Sequence, residues 1–257
     1  MSGSREFRID FHVHTSYSFD CATPPKLVLE MARRRGLHGL AITDHDRVEG
    51  ALAALEANRD PDLLVIPGIE IKSDLGDVIA LYVTQNVRSR RFAEVIDEIH
   101  ALGGLAYLPH PMRTFGEEGS HRIARQHPEI DLWELHNGRY FRSHHEAARR
   151  FFDELAIAGP MCGSDAHVPW EVGLYWTRLA RLPTDPRILL ECAPSATPSA
   201  EPRDELAVRV GTTIGETIKS LKRRQYAKTG ALLAGLPWRA ARKAAQAVRH
   251  AASSSRR

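Results

Sequence analysis

Asp10-Phe11-His12-Val13-His14-Thr15 closes the first apolar run of the chain, Phe7–Val13, and its reading decides the rest. In an extended segment, residues two apart face the same side. The alternation therefore turns His12 and His14 into one site, with Asp10 on their face. A helix signal follows. Thr23 is placed to cap, Pro24 to take the first helical position, and Gly36 to end the helix after Arg33-Arg34-Arg35. The same unit recurs downstream. Strands are expected at Gly39–Thr43, Leu63–Ile71, Asp77–Val83, Gly104–Leu108, Asp131–Leu135 and Pro160–Cys162, and helices at Val48–Ala57, Arg91–Leu102 and His144–Ala158. Most of the strand runs are continuously apolar, as for strands buried on both faces. Repeated strand–helix units predict an α/β fold with a mostly parallel sheet, open or closed into a barrel.

Polar residues gather at one end of these strands. Asp20 follows the first in a loop. The second ends in Thr43-Asp44-His45-Asp46, and the third carries Glu70 in Pro67-Gly68-Ile69-Glu70-Ile71. Later ends read His110-Pro111, Glu134-Leu135-His136-Asn137-Gly138-Arg139 and Gly163-Ser164-Asp165-Ala166-His167. One strand-end histidine is usually a hydrogen-bonded structural residue. Recurrence at nearly every strand end is not explained that way, because ligands of α/β folds bind at the carboxyl ends of the strands. Mixed imidazole and carboxylate donors suit Zn²⁺, Mn²⁺ or Fe²⁺ rather than an oxygen-only Mg²⁺ site. Of the 13 histidines, His121, His127, His144, His145 and His250 lie in polar or helical surroundings and read as surface residues.

Five motifs, Asp10–Thr15, Ile42–Asp46, Gly68–Ile71, Pro109–Pro111 and Gly163–His167, occur in the order found in the PHP (polymerase and histidinol phosphatase) superfamily, which the chain resembles over about residues 7–180. The resemblance implies a distorted (β/α)7 barrel, TIM-barrel-like, with two or three divalent metal ions and metal-dependent phosphoesterase chemistry. By resemblance, His12, His14 and Asp165 hold the first ion, Glu70 bridges two ions, His110 binds the second, and Asp20, His45 and His167 hold the third. Asp44 becomes a further ligand or a carboxylate that orients an imidazole. Some relatives have another ligand histidine between Glu70 and His110. Here that interval contains only His100, inside an expected helix, so Asp77 or His136 is left to complete the second ion's set.

Clustered divalent ions acidify a water and neutralise phosphoryl charge. The expected reaction is hydrolysis of a phosphate ester of a small phosphorylated metabolite or nucleotide. No serine or cysteine nucleophile is needed, and Ser164 and Cys162 read as positional. Arg113 and Arg139 offer the geometry arginine presents to phosphates. Asn137 matches a polar residue that relatives carry at this strand end. These three are the candidate catalytic residues. Two alternatives stay open: a nuclease or phosphodiesterase acting on nucleic acid, and a non-catalytic metal-binding regulatory module.

The 257 residues divide by composition into a PHP-like domain over 1–182, a proline-rich connection over 183–216 and a basic tail over 217–257. The net charge of +3 conceals a split. Eleven Lys/Arg and no acid lie from Lys219 on, leaving 24 basic against 32 acidic residues before it. That acidic body disfavours docking of a long polyanion. No run approaches the ~18–20 apolar residues of a membrane span. Arg5, Arg8 and Asp10 interrupt any secretory signal, and three scattered cysteines make no disulfide framework. A cytoplasmic protein is expected, with a peripheral membrane location open through the tail. From Pro237, Trp238, Ala241, Ala245 and Val248 line one helical face among basic residues. The tail is expected to be dispensable for chemistry. It is expected to meet an anionic membrane surface or nucleic acid, or to dock on the acidic body of its own or a neighbouring chain. The oligomeric state is left open.

Overall fold

The computed structural model describes residues 6–157, 159–199, 205–224 and 232. Seven strands form the barrel: β1 Phe7–Val13, β2 Gly39–Ile42, β3 Leu64–Lys72, β4 Asp77–Leu81, β5 Leu105–Leu108, β6 Leu132–Asn137 and β7 Pro160–Gly163. They are hydrogen-bonded in chain order. The ring closes where Asp165 N donates to His12 O (2.8 Å) and His14 N to Ala166 O (3.1 Å). One apolar cluster draws a member from each of the seven: Ile9, Ala41, Ile66, Ile79, Tyr107, Leu132 and Met161 among them. That cluster is the barrel lumen. A second cluster lies on the outer faces, where Leu40, Ile69 and Val78 meet helical residues such as Val28, Ile96 and Phe151. Burial on both faces is why the strands read as continuous apolar runs.

The barrel is mostly parallel, as expected, with β4 as the exception. β1–β2, β2–β3, β5–β6 and β6–β7 are parallel. β4 is antiparallel to both neighbours, because the short Ser73–Gly76 turn joins it to β3 where a crossover helix would be needed for a parallel strand. Two short strands beyond the barrel were not expected, β8 Thr177–Leu179 beside β1 and β9 Thr197–Pro198 beside β8, both antiparallel. The result is a distorted seven-stranded α/β barrel.

Eight helices surround it among the described residues: α1 Pro25–Arg34, α2 Glu49–Ala57, α3 Phe92–Ala101, α4 Pro111–Thr114, α5 Gly116–Gln126, α6 Arg142–Leu155, α7 Pro186–Cys192 and α8 Glu205–Lys222. Thr23 does not cap α1. Pro24 holds the cap position and Pro25 starts the helix. The strand-end segment Arg113–Ile123 is largely helical, in α4 and α5. Within the proline-rich connection, Asp185 accepts from Ile188 N at 3.0 Å and caps α7, whose Leu189 and Cys192 join the lumen cluster. α8 runs without a break across the boundary expected at residue 216. No helix among the described residues is long and apolar enough to cross a membrane. The amphipathic segment expected from Pro237, and His250, lie outside the described residues.

Candidate metal centre

On β3, Ile66 and Glu70 share the lumen face by alternation, and on β6 Leu132 and Glu134 do the same. The lumen therefore changes from apolar to acidic toward one end of the barrel. Glu70 is the centre of that end. Its Oε2 lies 3.4 Å from His12 Nε2, 3.3 Å from His14 Nε2 and 3.2 Å from His45 Nδ1. Its Oε1 lies 3.1 Å from His110 Nε2. Asp165 Oδ1 approaches His12 Nε2 (3.8 Å), His14 Nε2 (3.4 Å) and His167 Nδ1 (3.4 Å). Asp20 Oδ2 lies 3.3 Å from His45 Nε2 and 3.2 Å from His167 Nε2.

Three groups of ligand-type atoms result: His12, His14 and Asp165; Glu70, Asp77 and His110; and His14, Asp20, His45 and His167. The donor set fits divalent ions. His12 Nε2 and His14 Nε2 point into one space, 3.1 Å apart, and Asp20 Oδ1 is buried with no hydrogen-bond partner. Such convergence of nitrogen and carboxylate donors suits a cation better than a protein hydrogen-bond network.

Electrostatics agree. Burial opposes charge on His12, yet Asp165, Glu70 and Glu134 outweigh it and hold the imidazole well above its ordinary range. For His45, Glu70 and Asp20 overcome burial and raise it to about 10. In return, burial opposes ionisation of Glu70 and Asp165, but the histidines, with Arg113 beside Asp165, keep both well below the usual carboxylate range. Two of these residues sit on left-handed backbone, His110 (φ 36°) and Asp165 (φ 49°). Strain of this kind gathers at functional sites.

Eight of the nine expected ligands converge here. Asp44 does not. Its oxygens accept from Thr15 N and Thr15 Oγ1, both at 2.6 Å, so it fixes the chain after His14 and orients no imidazole. Asp77, not His136, joins Glu70 and His110. A register shift between Glu134 and His136 turns His136 away from the site, where its Nδ1 meets His145 Nδ1 at 2.8 Å. His145, expected at the surface, is buried. Asp10 also leaves the face of His12. A register shift between Asp10 and Val13 breaks the alternation, and its oxygens accept from Ser164 N and Gly173 N.

A cleft of ≈ 290 Å³ opens over the centre, lined by Asp20, His45, Glu70, Arg113, Arg139, Asp165 and His167, and by Thr212, Gly215 and Glu216 of α8. The Arg113 side chain is 38% exposed and its Nη1 lies 3.3 Å from Asp165 Oδ2. Arg139 is buried. Its Nη2 donates to Glu171 Oε2 (2.9 Å) and its Nε to Asp165 O (3.2 Å). Asn137 does not line the cleft; its Nδ2 donates to Glu134 Oε2 and its Oδ1 accepts from Arg139 N. Cys162 and Ser164 are buried, and Ser164 Oγ donates to His12 O.

Sequence reasoning missed Glu134 and Glu171. Glu134 Oε2 accepts from His110 N at 2.7 Å, and its Oε1 lies 3.4 Å from His12 Nδ1. It thus fixes the backbone of His110 and sets a buried carboxylate oxygen beside the ring of His12, two candidate ligands. Its signal was an acid in the apolar run Leu132-Trp133-Glu134-Leu135, the same signal that singled out Glu70. Glu171 accepts from Arg139 and from His167 N, and no local pattern marks it.

The family model of the PHP domain matches residues 10–157, more than half of the chain, and that of the PHP-associated region matches residues 142–191. An uncharacterized protein of Methanocaldococcus jannaschii is 30% identical over 115 residues, 40% of this chain and 67% of that protein. Among solved structures, a protein of Bifidobacterium adolescentis assigned as a metal-dependent phosphoesterase aligns with TM-score 0.50 at 18% identity. An amidohydrolase of Chromobacterium violaceum, with bound sulfate and no metal, aligns with TM-score 0.52 at 17% identity. Each alignment covers 63% of this chain and 88% of the other.

Proposed function

This chain belongs to the PHP domain family, and from that premise and the geometry of the centre we propose that it hydrolyses the phosphate ester of a small molecule, a phosphorylated metabolite or nucleotide, using two or three divalent ions of the Zn, Mn or Fe type. The observation that carries the reading is the meeting of Glu70 with four histidines on the floor of a cleft walled by two arginines. His12, His14 and Asp165 would hold one ion, Glu70, Asp77 and His110 a second, and His14, Asp20, His45 and His167 a third. When bound, such a cluster supplies an acidified water and positive charge for the phosphoryl oxygens.

The remaining roles fall to the chain's own groups. Arg113, half-exposed at the cleft, is placed to hold two phosphoryl oxygens with its planar fork and so to orient the ester. Arg139 is fixed by Glu171 and adds positive field from the wall without leaving its bond. Cys162 serves as no nucleophile, because burial pushes its thiol far above the ordinary range. The size of the cleft supports a small ester. Tracking a polymer calls for a long basic groove with aromatic platforms.

Metal-loaded protein assayed side by side on p-nitrophenyl phosphate, bis-p-nitrophenyl phosphate, mononucleotides and single-stranded DNA tests this. We expect turnover of small esters and none on internal DNA linkages, with Asp165→Ala inactive. Preferential degradation of DNA would favour the nuclease alternative, and inactivity on every substrate the regulatory one.

A further inference from the structure

α8 is more than the start of a tail. Gly211 lets it approach closely: a Cβ there would lie 2.0 Å from Glu171 Oε1. Ile214 and Ile218 are buried against Ala22 and Val168, on the segments that follow Asp20 and His167. At the end of the helix, Lys222 Nζ donates to the backbone carbonyls of Ser16 (3.0 Å), Ser18 (2.5 Å) and Cys21 (2.7 Å). An ammonium has three donors, and all three are used on one loop.

That loop carries Asp20. It also presents Ser18 Oγ, which accepts from His45 N at 3.1 Å and lies 3.3 Å from His14 Nδ1. Phe19 stacks on His45 with ring centroids 4.6 Å apart, and Lys219 and Arg223 flank the same phenyl ring at 5.3 and 5.1 Å. Three carbonyl dipoles aimed at one point repel one another unless a cation lies between them. The Lys222 ammonium is therefore committed to the loop.

We propose that Lys222 is a positioning residue for the metal group His14, Asp20, His45 and His167: its ammonium is a built-in cation that holds the Ser16–Cys21 loop closed around that group. The inference rests on reading this group as a metal site.

The test uses the full chain and Mn²⁺ as the probe. Bound metal per chain and its affinity are measured for wild type, Asp20→Asn, Lys222→Met, Lys222→Ala and Lys222→Arg, together with the melting temperature of each metal-free protein. We expect Lys222→Met to weaken the ion lost in Asp20→Asn about tenfold, the usual scale for a group that orients ligands. The other ions and the melting temperature should hold. Lys222→Arg should restore part of the affinity, and added ammonium or methylammonium should restore part of it in Lys222→Ala. Wild-type affinity in Lys222→Met, or equal weakening of every ion with a lowered melting temperature, would overturn the role. Should Asp20→Asn itself leave the metal count unchanged, the metal reading of the group fails and takes the inference with it.

Discussion

Glu134 shows how one buried carboxylate can set a whole centre. It touches no cleft surface, yet one oxygen fixes His110 and the other faces His12. Replacing it with glutamine keeps the volume and removes the charge behind His12. We expect Glu134→Gln to weaken metal binding by about tenfold or more, read by competition with a chelator. An unchanged affinity would show that Glu134 only packs. The His136–His145 pair makes a different prediction. Burial pushes His136 down to about 3 and His145 to about 4, so the folded protein keeps both neutral. The unfolded chain takes up those protons near pH 6.5. The pair's contribution is therefore complete above about pH 6.5 and declines as the pH falls toward 4 and then 3. Melting temperature against pH should drop less steeply over that window in His145→Gln than in wild type. Parallel curves would contradict it. Both residues also mark the limits of sequence reading. Glu134 was visible as an acid in an apolar strand. Alternation puts His136, two residues on, on the same face, and only the register shift in β6 separates them.

At the scale of elements, legibility follows burial. The seven barrel strands are apolar on two faces and stand out as runs, whereas three-residue β8 and two-residue β9 carry too few side chains to form a pattern. α5 begins at Gly116 and is mostly polar, so its segment reads as a loop. α8 contains two glycines, poor helix formers, and its close packing requires one of them, Gly211. Closure of β7 on β1 depends on another glycine. A Cβ at Gly163 would lie 2.2 Å from His12 Cβ and 2.6 Å from Glu134 Oε1. Overpacking of this kind costs about 1–3 kcal/mol. Gly163→Ala should lower the melting temperature and, by parting His12 from Glu134, weaken metal binding as well. A variant that melts like wild type would show that the seam has slack.

Over the whole molecule, the charge split acquires a partial meaning. The acidic body concentrates carboxylates where a metal cluster would need them, and the first basic residues of the tail close over the loop at its edge. The family's motifs made the centre legible across five separate stretches of chain, because each ends a strand of one barrel. The wall contributed by α8 was not legible, since nothing in residues 205–222 resembles a site until the fold brings them over His167 and Asp20. The most direct test of the account is anomalous diffraction from Mn²⁺-loaded crystals, measured at the manganese edge. The account predicts peaks among His12, His14 and Asp165, among Glu70, Asp77 and His110, and among His14, Asp20, His45 and His167, with at least two occupied. A map with no peak within reach of Glu70 would contradict it.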